Sequence, residues 1–419
     1  MNLLGRFLSK KTPRLGRCFA LVALFTLMST PGFAQSPSPE ESVSASEAVR
    51  AALTRPEAEL ALESRLNASK SRVDEQTRVH PPTLSLGYER VFGDSERAAS
   101  EFTAMVEQEI DVTRWRSRLR QSLSHQEDAQ RAEYARWRLE TAHRVRHAFY
   151  AVRYHEERLA QIDVWRGHLE EALEATRARE ARGDVSAYMS GRIARELKLA
   201  AAREAMERAE LASAWADLQS RVGWGERPRL RGELLPVQHV APEGLATPQQ
   251  QMLQASIQAL GAELDASSSP LLRGWTLGVG YRQDRAGALA GHGVMVGLSL
   301  PLAFWNPDAP RQARLRAEQA ALSHDLELLN ADYEREMQAA NARLRVAERA
   351  LEANTASEAD DTLIRQARQA FDAGEASLAE LLDVYESELE LQLVRLGLQW
   401  DARRADLNLQ RLQGLGVSK

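Results

Sequence analysis

The sequence holds a single cysteine, Cys18, and it lies in an apolar run near the start of the chain rather than in its body. The rest of the chain is therefore without disulfides or thiol chemistry. After residue 34 there is no apolar run of the roughly eighteen residues that a membrane-spanning helix needs, which leaves a β-barrel as the only membrane-spanning option. No phosphate-binding glycine loop, no nucleophile with an evident base and no Cys/His cluster is present. An enzyme is not expected, and neither is a cofactor. Residues 114–182 contain no proline and only one glycine, Gly167, so nothing interrupts helix there.

What is present begins with an export signal over residues 1–34: a basic head (Arg6, Lys10, Lys11, Arg14, Arg17), an apolar middle from Cys18 to Met28, and a small-residue site at Gly32-Phe33-Ala34. The apolar part is too short to cross a bilayer as a helix. Cleavage after Ala34 removes five positive charges and no negative ones, taking the formal net charge from −5 to −10. That balance argues against a nucleic-acid partner.

The remainder reads as a duplication. Leu86-Gly87-Tyr88 matches Val279-Gly280-Tyr281, Met105-Val106 matches Met295-Val296, Trp115 matches Trp305, and RGDVS from Arg182 matches AGEAS from Ala373, at offsets between 190 and 193. The first repeat is set at 35–224, the second at 248–419, with a Pro/Gly-bearing connector at 225–247. Each copy repeats one order: a helix, two strands, a long helix, a glycine turn and a second helix. Strands are expected at about 83–90, 101–111, 275–282 and 293–302, because residues there alternate with period two. Leu84, Leu86 and Tyr88, then Val106, then Leu277, Val279 and Tyr281, then Val296 and Leu298 form the apolar face; Glu107 and Glu109 fall on the other. One apolar and one polar or small face suits strands with hydrocarbon outside and water inside, and the nine apolar residues are expected to face lipid. Four strands cannot close a barrel, so several chains must share one, and three would supply twelve strands.

The helices are too long for a compact domain. Residues 114–182 make a rod of about 100 Å and residues 310–373 one of about 95 Å. The returning piece 185–221 and the helix 247–266 together nearly match the first rod, which predicts that these two stack in one column. By symmetry 377–412 is expected to stack on 46–78. In the last helix Leu378, Leu389 and Trp400, Leu382 and Leu393, and Tyr385, Leu396 and Leu407 repeat every eleven residues, a period that keeps a contact seam nearly parallel to the helix axis.

This arrangement resembles the outer-membrane efflux protein (TolC) family over essentially all of the chain after the signal. VGLSLPLAFWNPDAPRQA (296–313) is similar to the family's junction between last strand and long helix, and FDAGEASLAELLDVYESEL (371–389) to its helix turn. The first stretch looks closest to the channels of cobalt-zinc-cadmium resistance pumps. The resemblance implies a mainly α protein with membrane β-structure: a homotrimer with a twelve-stranded outer-membrane barrel on a periplasmic α-helical barrel. It also implies a passive exit duct in the outer membrane, served by a periplasmic adaptor (membrane fusion) protein and an inner-membrane efflux transporter. Heavy-metal cations are the first candidate cargo and organic toxicants the second. Glu380 and Asp383 match the family's acidic pair at the tunnel entrance, where threefold symmetry would make two carboxylate rings; the first repeat has Met189 and Arg192 there. The turns Gly183, Asp184, Ser186 and Gly374, Glu375, Ser377 match the tips that meet the adaptor. Glu107 and Glu109 would line the barrel lumen, and Phe304, Trp305 and Trp115 lie where strands give way to helices. His143 and His147 share a helix face, but Arg144 stands where a zinc-protease motif has Glu and no third ligand is evident, so no metal site is expected. A rival reading from another class is a periplasmic adaptor or helical scaffold, with the strands in a small soluble domain.

Overall fold

The computed structural model describes residues 42–54, 56–91, 99–111, 114–235, 246–267, 274–286, 289–300, 308–354 and 360–415. The expected export signal, Cys18, Phe304 and Trp305 lie outside them. The first repeat runs β1 (Ser42–Val43), α1 (Ala45–Leu53), α2 (Pro56–Thr77), β2 (Thr83–Val91), β3 (Ala99–Ile110), α3 (Trp115–Glu180) and α4 (Ala187–Val222). β4 (Arg229–Leu230) lies in the connector. The second repeat runs α5 (Pro248–Ser267), β5 (Trp275–Ala286), β6 (Leu289–Ser299), α6 (Ala309–Asn354), α7 (Asp360–Ala373) and α8 (Leu378–Leu412).

β2, β3, β5 and β6 form one antiparallel sheet in the order β2-β3-β5-β6, so the strand pairs of the two repeats lie side by side and β2 and β6 are its edges. The strands differ from the expected bounds: β5 extends to Ala286 and β6 starts at Leu289, because residues 283–286 still pair across to 289–292. α3 is a single helix of 66 residues, about 100 Å long. The second rod is two helices, α6 and α7, whose junction at 355–359 lies outside the described residues. The segment 46–78 is likewise two helices: Pro56 has no N–H to give, and it opens α2 at the position where none is needed.

Strand order dictates helix order. Because β3 pairs with β5, the helix feeding β5 stands beside α3. Ser122 donates to Ala259 O (2.7 Å) and Arg118 to Asp265 O (3.0 Å), joining α3 to α5. On the other flank of α3, Arg120 donates to Thr77 Oγ1 of α2 (3.3 Å). Arg311 of α6 pairs with Glu263 of α5 (2.9 Å), so the upper wall reads α2-α3-α5-α6, parallel to the strands above it. Lower down, α8 takes the slot between α3 and α6: His143 bonds Leu407 O, and Arg411 pairs with Glu336 (2.8 Å). α4 lies against α3 through Glu204 and Glu207.

The expected stacking is therefore corrected. α5 stands on α8, not on α4: a Cβ at Gly414, just past α8, would sit 4.0 Å from Pro248 Cδ at the start of α5. α4 lies below α2 on the opposite flank. Each column joins two pieces of the same repeat because α4 and α5 lie on opposite sides of α3, and helix lengths alone do not reveal that. α8 buries Leu378, Tyr385, Leu389, Leu396 and Leu407, five of the residues in the eleven-residue pattern. Three apolar clusters hold the wall. At mid-height α1 and β4 cover Ala142, Val145, Phe149 and Val152 of α3 together with Trp215, Leu218 and Val222 of α4. Toward the turns Trp165, Leu169, Ile193, Phe371, Leu381 and Tyr385 join the two hairpins, and Ala340, Leu344, Ala347 and Leu409 join α6 to α8.

Candidate functional site

Directly opposed residues of an antiparallel sheet share a face. Leu84, Val106, Val279 and Val296 make one row, and Leu86, Ala104, Tyr281 and Val294 the next. Tyr88 pairs with Phe102, and Leu277 with Leu298. All nine residues expected to meet lipid thus stand on one face, and all are exposed, from 41% for Tyr281 to 75% for Val296. Among the described residues no helix covers them. The opposite face is floored by glycine: Met105 pairs with Gly280 and Gly280 with Met295, while Glu107 pairs with Gly278 and Gly278 with Gly297. A Cβ on Gly280 would stand 2.6 Å from the Ala104 carbonyl oxygen, a backbone atom that cannot swing aside, so glycine is required there.

Glu107 and Glu109 are on this glycine face, but the two are not alike. Glu109 accepts an ion pair from the buried Arg116 (3.1 Å) and lies 3.0 Å from His80 Nδ1. Its charge is therefore matched at the sheet–helix junction instead of standing free, which corrects the equal treatment of the pair. Trp115 is half-buried there, with the Arg116 guanidinium 4.8 Å from its ring centre.

At the far end, both turns close with a left-handed glycine, Gly183 at φ 82° and Gly374 at φ 79°. Asp184 N–H donates to Arg179 O (2.9 Å) and Glu375 N–H to Ala370 O (2.8 Å), the bond that satisfies the last carbonyls of a Schellman turn. A Gly374→Ala chain is expected to lose about 1–2 kcal/mol through backbone strain, since the space around Gly374 is open. Gly167→Ala, in a helix interior with equally open space, should gain about 0.5–1 kcal/mol. Opposite shifts in apparent unfolding temperature check the pair.

Ser377 caps α8 in a capping box: its N–H donates to Glu380 Oε2 (2.6 Å), and Glu380 N–H donates to Ser377 Oγ (3.3 Å). These bonds hold the Glu380 carboxyl below its usual range. In the first repeat the corresponding residue is Met189, and Ser186 makes no side-chain cap bond. Glu380 thus has a local structural role that its place in an acidic pair did not require. Asp383 is exposed and lines a cavity of about 440 Å³ between the starts of α4 and α8, with Met189, Arg192 and Leu382 on its walls. Of the positions matched across the repeats, Met189 and Arg192 meet Asp383 here, while Glu380 does not line the cavity.

Sequence reasoning missed three buried charge groups. Glu204 and Glu207 sit at core positions of α4, in line with Ile193, Ala200, Leu211 and Trp215, and pair with Arg166 (2.8 Å) and with His155 and Arg158 (2.7 and 3.0 Å) of α3. Two acids inside that apolar spacing were the available signal. Arg403 and Asp406 (3.2 Å) are buried in α8, where Arg403 also donates to Leu234 O and Glu233 O of the connector. Arg116 has no comparable signal in the sequence. Among the described residues no group of three or more His, Cys, Asp or Glu side chains is placed to hold a metal ion.

No family model matches the sequence, and no curated protein matches it. Solved structures do. A structure of CusC, determined for its folding and transmembrane channel formation, superposes at TM-score 0.69 and 12% identity over 94% of this chain and 96% of that one. The outer-membrane channel OprN gives 0.69 and 16% over 92% and 95%. The open state of the Neisseria gonorrhoeae MtrE outer-membrane channel gives 0.65 and 14% over 94% and 96%. Along nearly its whole length, the chain has the fold of these outer-membrane channels.

Proposed function

We propose that the chain is one third of a homotrimeric outer-membrane exit duct. It would pass cargo handed over by an inner-membrane transporter through a periplasmic adaptor. The observation that carries this reading is the sheet: four strands in register, an apolar face bare of any helix, and two open edges. An open edge in lipid costs several kcal/mol per unpaired backbone group, whereas β6 of one copy on β2 of the next leaves none. The uncovered flanks of α2 and α6 continue those edges, and among its described residues α2 buries only Ser69 and Thr77. The helical wall below would span the periplasm. We place the adaptor at the turns Gly183-Asp184 and Gly374-Glu375, and the acidic ring at Glu380 and Asp383. Metal cations are the preferred cargo, organic compounds the second. The fold likeness supports the duct and leaves the cargo to experiment.

The test is the mass of the detergent-extracted protein by light scattering, corrected for bound detergent, together with its membrane fraction. A trimer from the outer membrane is expected. A monomer that stays in the periplasm without detergent would overturn the duct in favour of a soluble adaptor or scaffold.

A further inference from the structure

His143 and His147 have no role in the duct as described, and their surroundings are unlike those of ordinary packed histidines. Both line a cavity of about 750 Å³ between α3, α6 and α8. The opposite side of α3, carrying Val145, Phe149 and Val152, lies under α1 and β4. The imidazoles therefore look away from the covered side of the wall. We propose that His143 and His147 form a two-ligand transit site for a borderline divalent transition-metal cation such as Ni²⁺, Zn²⁺ or Cu²⁺. Its placement on the inner wall of the tunnel rests on the duct reading; the ligand pair itself does not.

Spacing of four puts both rings on one helix face, the arrangement by which zinc-binding helices present two histidines. The ring centres are 6.5 Å apart with planes tilted by 47°. His143 Nδ1 is 3.2 Å from Leu407 O, and because a carbonyl only accepts, Nδ1 carries the proton and Nε2 keeps its lone pair. A backbone carbonyl on the far nitrogen is the usual support of a metal-binding imidazole. His147 packs on Trp400 at 5.1 Å, which limits its swing. Arg411 stands near His143 and Arg404 near His147.

The same arginines weaken cation binding, and Asp401 in the cavity wall offsets only part of their charge. That suits passage: a conducting site must release what it captures. The sequence argued against metal because Glu is absent at 144 and a third ligand is missing. Those absences exclude a metalloprotease centre and a closed structural site, but an open pair completed by water needs neither.

The experiment is calorimetric titration of untagged, detergent-purified full chain with NiCl₂, beside His143→Ala/His147→Ala and His147→Gln variants of unchanged mass and melting. Nickel should bind the wild type, and the double variant should bind about tenfold or more weakly. No binding to the wild type, or equal binding to the double variant, overturns the site. In planar bilayers Ni²⁺ block should weaken in the His variants while Mg²⁺ block, an oxygen-ligand effect, is kept. Glu380→Ala/Asp383→Ala should do the converse. A conducting trimer with no His-dependent block refutes the inner-wall placement and leaves the duct standing. A non-conducting monomer that still binds Ni²⁺ through the pair refutes the duct and leaves the site standing.

Discussion

A Val279→Arg chain is expected to disappear from the outer-membrane fraction and to fail to form trimers in detergent. Val279 lies in the middle of β5, paired on both sides, with Val106 on β3 and Val296 on β6, in the row that begins at Leu84. It is 56% exposed, yet no polar group shares its row. An arginine on the lipid face of a barrel near the bilayer centre costs about 2–4 kcal/mol per chain, and three copies would carry it three times. Ser85→Arg is the control. Ser85 pairs with Met105, on the glycine face, so its charge would point into water. Membrane fractionation and light scattering of the two variants should separate cleanly. If Val279→Arg inserts and assembles as Ser85→Arg does, the apolar face does not meet lipid, and the shared barrel must be given up.

The second large effect is expected at Asp406. Its side chain is 4% exposed and accepts from Arg403 Nη1 at 3.2 Å and from Gln410 at 2.9 Å. Arg403, 9% exposed, also donates to Leu234 O (2.8 Å) and Glu233 O (3.3 Å), and its guanidinium lies 4.5 Å from the Tyr150 ring centre. One buried charge thus fastens α8 to both the connector and α3. Asp406→Ala leaves that guanidinium without its carboxylate, a loss of about 3–5 kcal/mol. Asp401→Ala removes the partner of Arg404 in a pair 52% and 64% exposed, where the cost is about 0–1 kcal/mol. The readout is apparent unfolding temperature together with the rate of proteolysis within residues 225–247. Only Asp406→Ala should release the connector early. Equal behaviour of both variants would mean that the Arg403 bonds do not hold the connector.

The periodicity that made these strands legible is local. Alternation of Leu84, Leu86 and Tyr88 with Ser85, Gly87 and Glu89 needs nothing beyond a pleated backbone, and the structure pairs them as that alternation requires. The 66-residue helix follows equally from the lack of proline and near-lack of glycine after residue 114. Column stacking was not legible, since it depends on which flank of α3 each short helix takes. That choice is made by the β3–β5 pairing, a contact between residues more than 160 positions apart. The acidic positions were legible as positions but not as chemistry: Glu380 bends back to Ser377 N–H, Glu109 is claimed by Arg116, and Asp383 opens on the cavity with Arg192.

By itself the sequence determined the duplicated order of strands and helices, their approximate lengths, the two glycine turns and the apolar face of each strand. Each follows from spacing within a segment and from what glycine, proline and alternating side chains permit. Only the tertiary structure decided that the repeats lie side by side with each stacked column drawn from one repeat, that α5 stands on α8, that buried arginines tie the wall to its connector, and that His143 and His147 line one cavity between α3, α6 and α8. Those are set by partners distant in the chain, whose identity no local pattern carries.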